Sequence, residues 1–225
     1  MLRLRNINVR NTLRNLCLTV RDGEFVLIIG ANGSGKTTLF NVISGIIQPR
    51  SGEVSFKNQD ITNIPQHRRT KWISTVLQDP RSSTVGEMTI LENMILAYMR
   101  NSCRKVSRST INYFREKLSI LGMNLENRLG EYVKSLSGGQ RQALSLVMAT
   151  ISDYELLLLD EITSALDPKN SDMIMEMTEK IIDIEKKACL LITHNVKHIK
   201  SFNARILEMN NGQLEEAQAV AALDP

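Results

Sequence analysis

Along the first third of the chain, apolar positions alternate or run together in a way that predicts strands. Leu2, Leu4, Ile7 and Val9 follow an imperfect period of two, and residues 16–20 lead into a turn at Asp22 and Gly23. Residues 25–29 are apolar without a break, as expected of a strand buried on both faces. A glycine-rich turn comes next, then a helix over 36–47 that stops near Gly45 and Pro49. Residues 53–56 and 73–78 read as further strands.

From about 80 to 151 the period becomes that of helices alone. Thr89 and Glu92 have the spacing of a capping box, followed by Ile90, Leu91, Met94, Ile95 and Tyr98 at helical intervals. A second helix carries Ile111, Phe114, Leu118 and Leu121 and ends at Gly122, and a third begins after Ser137 and presents Leu144, Val147, Met148 and Ile151. Their apolar stripes read as core-facing, and the polar stretch 101–109 as the tip. Strands return at 156–159 and 188–193, flanking a helix capped by Asp167 with Pro168 at its first position. Asn210, Asn211 and Gly212 make the turn of a terminal hairpin. The pattern predicts one α/β domain over 1–225. Its core comprises 1–79 and 152–225, opens with an antiparallel β part, and receives a helical subdomain over 80–151.

Composition narrows the partners more than the fold. The 225 residues are 42% hydrophobic and 23% charged, in the range of soluble globular proteins rather than disordered or fibrous ones. No apolar run approaches the roughly 20 residues that cross a bilayer, and the opening Met1-Leu2-Arg3-Leu4-Arg5 lacks the apolar centre of a signal peptide. The chain is therefore expected in the cytoplasm unless a partner carries it to a membrane. A net charge of +4, spread along the sequence, fits an anionic partner without choosing among nucleotide, lipid and nucleic acid. Cys17, Cys103 and Cys189 lie far apart with no CxxC pair, which points to buried thiols in a reducing compartment.

Chemistry concentrates in three short segments. Gly30-Ala31-Asn32-Gly33-Ser34-Gly35-Lys36-Thr37 matches G-x-x-x-x-G-K-[ST] and lies between a buried strand and a helix. Glycines there let backbone N–H groups wrap a polyphosphate, and the helix adds its positive N-terminal end. Lys36 would neutralise phosphate charge, Thr37 would ligate Mg²⁺, and Thr38 would add a phosphate contact. Leu156 to Leu159 then run into Asp160 and Glu161, two carboxylates at the end of a strand, where a parallel sheet places its ligands. Asp160 would hold Mg²⁺ and Glu161 would polarise the attacking water, so the pair with the P-loop predicts nucleoside-triphosphate hydrolysis. The third segment, Leu136-Ser137-Gly138-Gly139-Gln140, opens a helix with unpaired N–H groups and makes a second anion-binding end. One γ-phosphate needs two such ends only if a second copy of the chain supplies one of them, which predicts a homodimer with ATP between subunits.

That pentapeptide resembles the signature of the ABC ATPases, and the resemblance extends along nearly the whole chain. It implies a P-loop NTPase core of ABC ATPase type and the substrate pair ATP and Mg²⁺. Gln78 is similar to the family's glutamine that contacts Mg²⁺ and water, Ser164-Ala165-Leu166-Asp167 to the loop that crosses the dimer interface, and His194 to the histidine that contacts the γ-phosphate. The resemblance thus makes Glu161, His194 and Gln78 the catalytic set and Thr37, Gln78 and Asp160 the metal set. Residues 30–38, Ser137, Gly138, Gly139, Gln140 and Asp167 would bind nucleotide. The family commonly stacks an aromatic residue, upstream of the P-loop, on adenine. Residues 1–24 contain no Phe, Tyr or Trp, so a smaller preference for ATP over GTP is expected.

A single cassette without membrane helices of its own fits the ATPase subunit of a transporter, held peripherally on the cytoplasmic face of the inner membrane by a separate permease. Docking is expected near 78–98. Thr75-Val76-Leu77-Gln78-Asp79-Pro80, with 136–144, Met148-Ala149-Thr150 and Leu166-Asp167-Pro168-Lys169, is similar to bacterial importer ATPases that serve a solute-binding protein and a branched-chain-type permease, with aromatic amino acids as the commonly expected cargo. An exporter or lipoprotein-release ATPase stays open as the alternative, as does a soluble member acting on nucleic acid or ribosomes, although no nucleic-acid partner is expected.

Overall fold

The computed structural model describes residues 1–100, 105–193 and 204–217. Its elements are, in chain order, β1 (Leu2–Val9), β2 (Leu13–Val20), β3 (Phe25–Ile29), α1 (Lys36–Ser44), β4 (Ser51–Phe56), β5 (Gln59–Asp60), α2 (Gln66–Arg69) and β6 (Ile73–Val76). There follow α3 (Ile90–Met99), α4 (Arg108–Ser119), α5 (Gly138–Thr150), β7 (Leu156–Asp160), α6 (Pro168–Glu185), β8 (Ala188–Ile192), β9 (Arg205–Asn210) and β10 (Gln213–Glu216).

The strands form two sheets. An antiparallel one runs in the order β2-β1-β4-β5, and a larger one in the order β10-β9-β3-β8-β7-β6. In the larger sheet β9, β3, β8, β7 and β6 pair in parallel and only β10 is antiparallel. The parallel strands are buried on both faces, and their period of two divides them between two cores. Val26, Ile28, Leu156, Leu158, Leu190 and Ile192 face α1 and the antiparallel sheet. Phe25, Leu27, Leu157, Leu159, Cys189 and Leu191 face α3 to α6. The result is a three-layer α/β fold with the parallel sheet in the middle.

Several boundaries differ from the sequence reading, each for a visible reason. The alternation in β1 is imperfect because the pairing with β2 shifts register on either side of Ile7, where Asn6 and Asn15 take positive φ. Helix α1 ends at Ser44, three residues short of Ile47. Gly45 there has φ 84°, and the N–H groups of Ile46 and Ile47 turn back to the Asn41 carbonyl. Strand β6 ends at Val76, where its pairing with β7 ends, so Gln78 lies in the bend beyond the strand. The capping box of α3 forms as expected, and α4 and α5 have boxes as well, from Ser107 with Thr110 and from Ser137 with Gln140. Of the three cysteines, Cys189 is buried as expected but Cys17 is exposed, on the outward face of β2; of the expected tip 101–109, residues 101–104, with Cys103, lie outside the described residues, as does His194.

Candidate functional site

The P-loop leaves β3 at its carboxyl end and wraps into α1 through three left-handed glycines: Gly30 at φ 145°, Gly33 at 79° and Gly35 at 114°. A side chain is excluded at Gly30 and would be tight at Gly35. A Cβ on Gly30 would stand 2.4 Å from the Met209 carbonyl oxygen, and one on Gly35 3.1 Å from that of Thr12. The loop is thus pressed between β9 and the turn after β1. Lys36 is almost fully buried, and its ammonium donates to the Gly30 and Ala31 carbonyls at 2.8 and 3.0 Å. Thr12, Asn32, Gly33, Gly35, Lys36, Thr37, Thr38, Gln78 and Glu161 line one cavity of about 420 Å³. The structure therefore brings the P-loop, Gln78 and Glu161 together as the sequence predicted. It adds Thr12, which no local pattern marks because its neighbours in space are distant in the chain.

Asp160 and Glu161 terminate β7. Burial and the adjacent Glu161 push the Asp160 carboxyl up from its usual range, while the Thr37 hydroxyl and Lys36 pull it down. Glu161 takes φ 46°, uncommon for a residue with a side chain, and its carbonyl accepts both the N–H and the hydroxyl of Ser164. Among the described residues, two buried polar atoms here have no hydrogen-bond partner, Ser34 Oγ and Asp160 Oδ1. Such atoms carry a desolvation cost that a ligand removes. One carboxylate oxygen, one threonine hydroxyl and one glutamine amide form a hard, oxygen-rich donor set, which fits Mg²⁺ bound chiefly through a substrate's phosphates.

The helix end expected to bind a second anion is that of α5. Ser137 Oγ accepts the Gln140 N–H at 3.2 Å, and Gln140 Oε1 accepts the Ser137 N–H at 3.1 Å. This box occupies the Gln140 side-chain carbonyl and leaves the N–H groups of Gly138 and Gly139 at the helix end. A Cβ on Gly139 would stand 2.9 Å from Asn170 Oδ1, and Asn170 is held by Asp167, which caps α6. Gly138 opens on a different cavity, of about 650 Å³, shared with Gln78, Asp160 and Leu166. Ser137, Gly139 and Gln140 are not among the residues lining the P-loop cavity. Gln78 borders both cavities, and its segment is tied to α5 through Thr84, whose hydroxyl and carbonyl accept from Arg141 at 2.7 and 3.2 Å.

Known proteins match this arrangement in sequence and in fold. The family model for ABC transporters covers residues 13–164. A tyrosine transport ATP-binding protein of Clostridioides difficile is 40% identical over 91% of this chain and 83% of its own. A methionine import ATP-binding protein of Enterococcus faecalis is 33% identical over 91% of this chain, which spans 58% of that protein. Among solved structures, the dimeric post-hydrolysis state of the ATP-binding cassette MJ0796 bound to ADP and Pi superposes with a TM-score of 0.81. It is 26% identical and covers 97% of this chain and 100% of its own.

Proposed function

The chain belongs to the ABC transporter family of ATP-hydrolysing cassettes, and from that premise we propose that it powers a bacterial importer of amino-acid-type solutes. The observation that carries the ATPase part is the cradle itself. A buried lysine, a helix N-terminus, Gln78 and the Glu161 carboxylate converge there, beside Asp160, whose buried Oδ1 has no partner among the described residues. The import part rests on relatives whose names specify tyrosine transport and methionine import.

In this reading Lys36 exchanges its backbone carbonyl partners for phosphate oxygens, and Thr37, Gln78 and Asp160 hold Mg²⁺. Bound there, the cation would neutralise charge on the phosphates. Glu161 orients and polarises the attacking water, with His194 at the γ-phosphate. Ser137, Gly138 and Gly139 face the nucleotide of a second copy, because within one chain they do not line the P-loop cavity; Gln140 and Asp167 hold that surface in shape. Among the described residues no helix is long and apolar enough to cross a membrane, so attachment to the cytoplasmic face would run through a permease. Its docking surface is the groove of about 560 Å³ beside α3, where Val85 and Leu96 are 43% and 48% exposed. A solute-binding protein completes such an importer.

Replacing Glu161 by Gln keeps the shape of the side chain and removes its basicity. Hydrolysis should slow by roughly 10²-fold or more while ATP stays bound. The variant is expected to elute as an ATP-dependent dimer in gel filtration with light scattering, and adding Ser137→Arg should return it to monomer. A Glu161→Gln protein that stays monomeric at saturating Mg·ATP with its permease present would overturn the shared site.

A further inference from the structure

The cavity of about 650 Å³ that Gly138 borders lies between the sheet and the helical layer, and its walls differ in chemistry. Leu77, Pro80, Leu136, Ile162, Ala165 and Leu166 give it an apolar body. Its volume is that of a pocket for a small molecule. Polar groups reach it from opposite sides. Asp160 comes from the end of β7 in the sheet, whereas Arg81, Arg141 and Gln142 come from the helical layer.

Two of these groups are buried and unsatisfied. Gln142 is 1% exposed and Asp160 8%, and among the described residues neither Gln142 Nε2 nor Asp160 Oδ1 has a hydrogen-bond partner. A buried amide without an acceptor and a buried carboxylate oxygen without a donor each carry a desolvation cost. Most other charged groups of the wall are engaged. Lys134 is paired with Glu87 at 2.7 Å, Asp79 Oδ1 accepts the Arg81 N–H at 2.9 Å, and Arg141 holds Thr84 through Nε and Nη2. The Arg81 guanidinium has no hydrogen-bond or ion-pair partner among the described residues. The cavity thus lacks an acceptor for Arg81 and Gln142 on its helical wall, and a donor for Asp160 on its sheet wall.

We propose that this cleft binds an α-amino acid with an apolar side chain. Its carboxylate meets Arg81 and the Gln142 amide, its ammonium meets Asp160, and its side chain fills the apolar body. A carboxylate alone would leave Asp160 without a donor, and an amine alone would leave the helical wall without an acceptor. The bound zwitterion spans the sheet and the helical layer and occupies the Asp160 carboxylate. That carboxylate holds Mg²⁺ in the reading above, so the regulatory half of the proposal rests on that reading: amino acid and Mg·ATP exclude one another. In an importer of amino-acid-type solutes, delivered cargo then slows the ATPase that delivers it.

Calorimetry on the full chain without nucleotide tests the binding, with L-phenylalanine as the probe. Phenethylamine, which lacks the carboxylate, and 3-phenylpropionate, which lacks the ammonium, are the controls. L-Phenylalanine should bind with a Kd below about 1 mM, and each control roughly tenfold more weakly. Arg81→Ala and Gln142→Leu should each weaken L-phenylalanine roughly tenfold. Gln142→Leu removes a buried amide nitrogen that has no partner, so circular dichroism should show it folded. Absence of binding at millimolar L-phenylalanine would overturn the site, as would equal binding of the three probes or wild-type affinity in both variants. Steady-state ATPase assays read the regulatory half: L-phenylalanine should raise the KM for Mg·ATP with kcat unchanged, and less so in Gln142→Leu. Binding of L-phenylalanine that leaves KM unchanged would overturn the competition. Folded wild type that binds L-phenylalanine but no Mg·ATP would instead remove the nucleotide reading and leave the amino-acid site standing.

Discussion

Arg69 is 1% exposed, and its guanidinium donates to five backbone carbonyls: Ile64, Val42, Ile43, Ile61 and Thr62, at 2.6 to 3.0 Å. Two of these belong to the last turn of α1, where carbonyls have no partner within the helix and a cation is favourable. Burial lowers its pKa to about 10, so the group stays charged at neutral pH. It also sets the residue at 45, because a Cβ on Gly45 would stand 2.7 Å from Arg69 Nε. Since α1 begins at the P-loop, anchoring its far end helps to fix Lys36 and Thr37. Arg69→Met should leave several carbonyls without donors and cost about 3 kcal/mol or more, read as a lower urea midpoint. Arg69→Lys should recover only part, as one ammonium cannot reach five acceptors. An unchanged midpoint for Arg69→Met would mean that water replaces the guanidinium without penalty.

At the scale of elements, the start of α3 is set by a reciprocal pair. The Thr89 hydroxyl accepts the Glu92 N–H, and the Glu92 carboxylate accepts the Thr89 N–H and hydroxyl at 2.7 and 2.8 Å. Those two donors hold the Glu92 carboxyl below its ordinary 4.5. A depressed folded pKa means a contribution that is complete above the unfolded value and lost as pH falls through the folded one. Stability should therefore decline below about pH 4.5 more steeply in the wild type than in Glu92→Gln, which keeps the hydrogen bonds and does not titrate. Thr89→Ala should cost about 1 kcal/mol at neutral pH. Parallel denaturation curves from pH 7 to 3 check both, and superimposable pH profiles for wild type and Glu92→Gln would discount the carboxylate.

At the scale of the whole molecule, both cores rest on the same strands. Leu156 and Leu158 point into one, Leu157 and Leu159 into the other, all 0% to 2% exposed. The described residues of 80–151 form helices and helical turns, with a single isolated bridge between Thr89 and Tyr132, yet α5 packs in one cluster with Phe25, Leu27 and α6. The helical layer thus has no core of its own to unfold around. The single tryptophan, Trp72, stacks on Phe56 at 6.0 Å beside the opposite core. Its fluorescence and the helical signal at 222 nm should follow one transition on denaturation. Leu159→Ala, with its side chain on the helical face, should shift both probes together by about 2 to 5 kcal/mol. Two separated transitions would show the helices to be an independent unit.

What could be read from the sequence was whatever lies within a few residues of itself. The P-loop, the Thr89 and Ser137 caps, the two carboxylates after Leu159 and the Asn211-Gly212 turn are local, because backbone N–H groups, helix ends and φ angles are satisfied by near neighbours. The unbroken apolar run of β3 even foretold two buried faces, since the pleat has a period of two. Strand order, by contrast, depends on pairings such as Phe25 with Cys189 and Ile73 with Leu156, which no local pattern encodes. Arg69 and Thr12 looked like ordinary polar residues for the same reason. The five acceptors of one lie partly on α1, and the contacts of the other are Gly35 and Gly212. Hydrogen-bond partners and packing contacts between distant segments exist only after the chain has folded. The motifs of the P-loop, the strand-end carboxylates and the Ser137 helix end were therefore written locally, while which of them share a cavity, and the buried anchors around them, were decided by the tertiary structure.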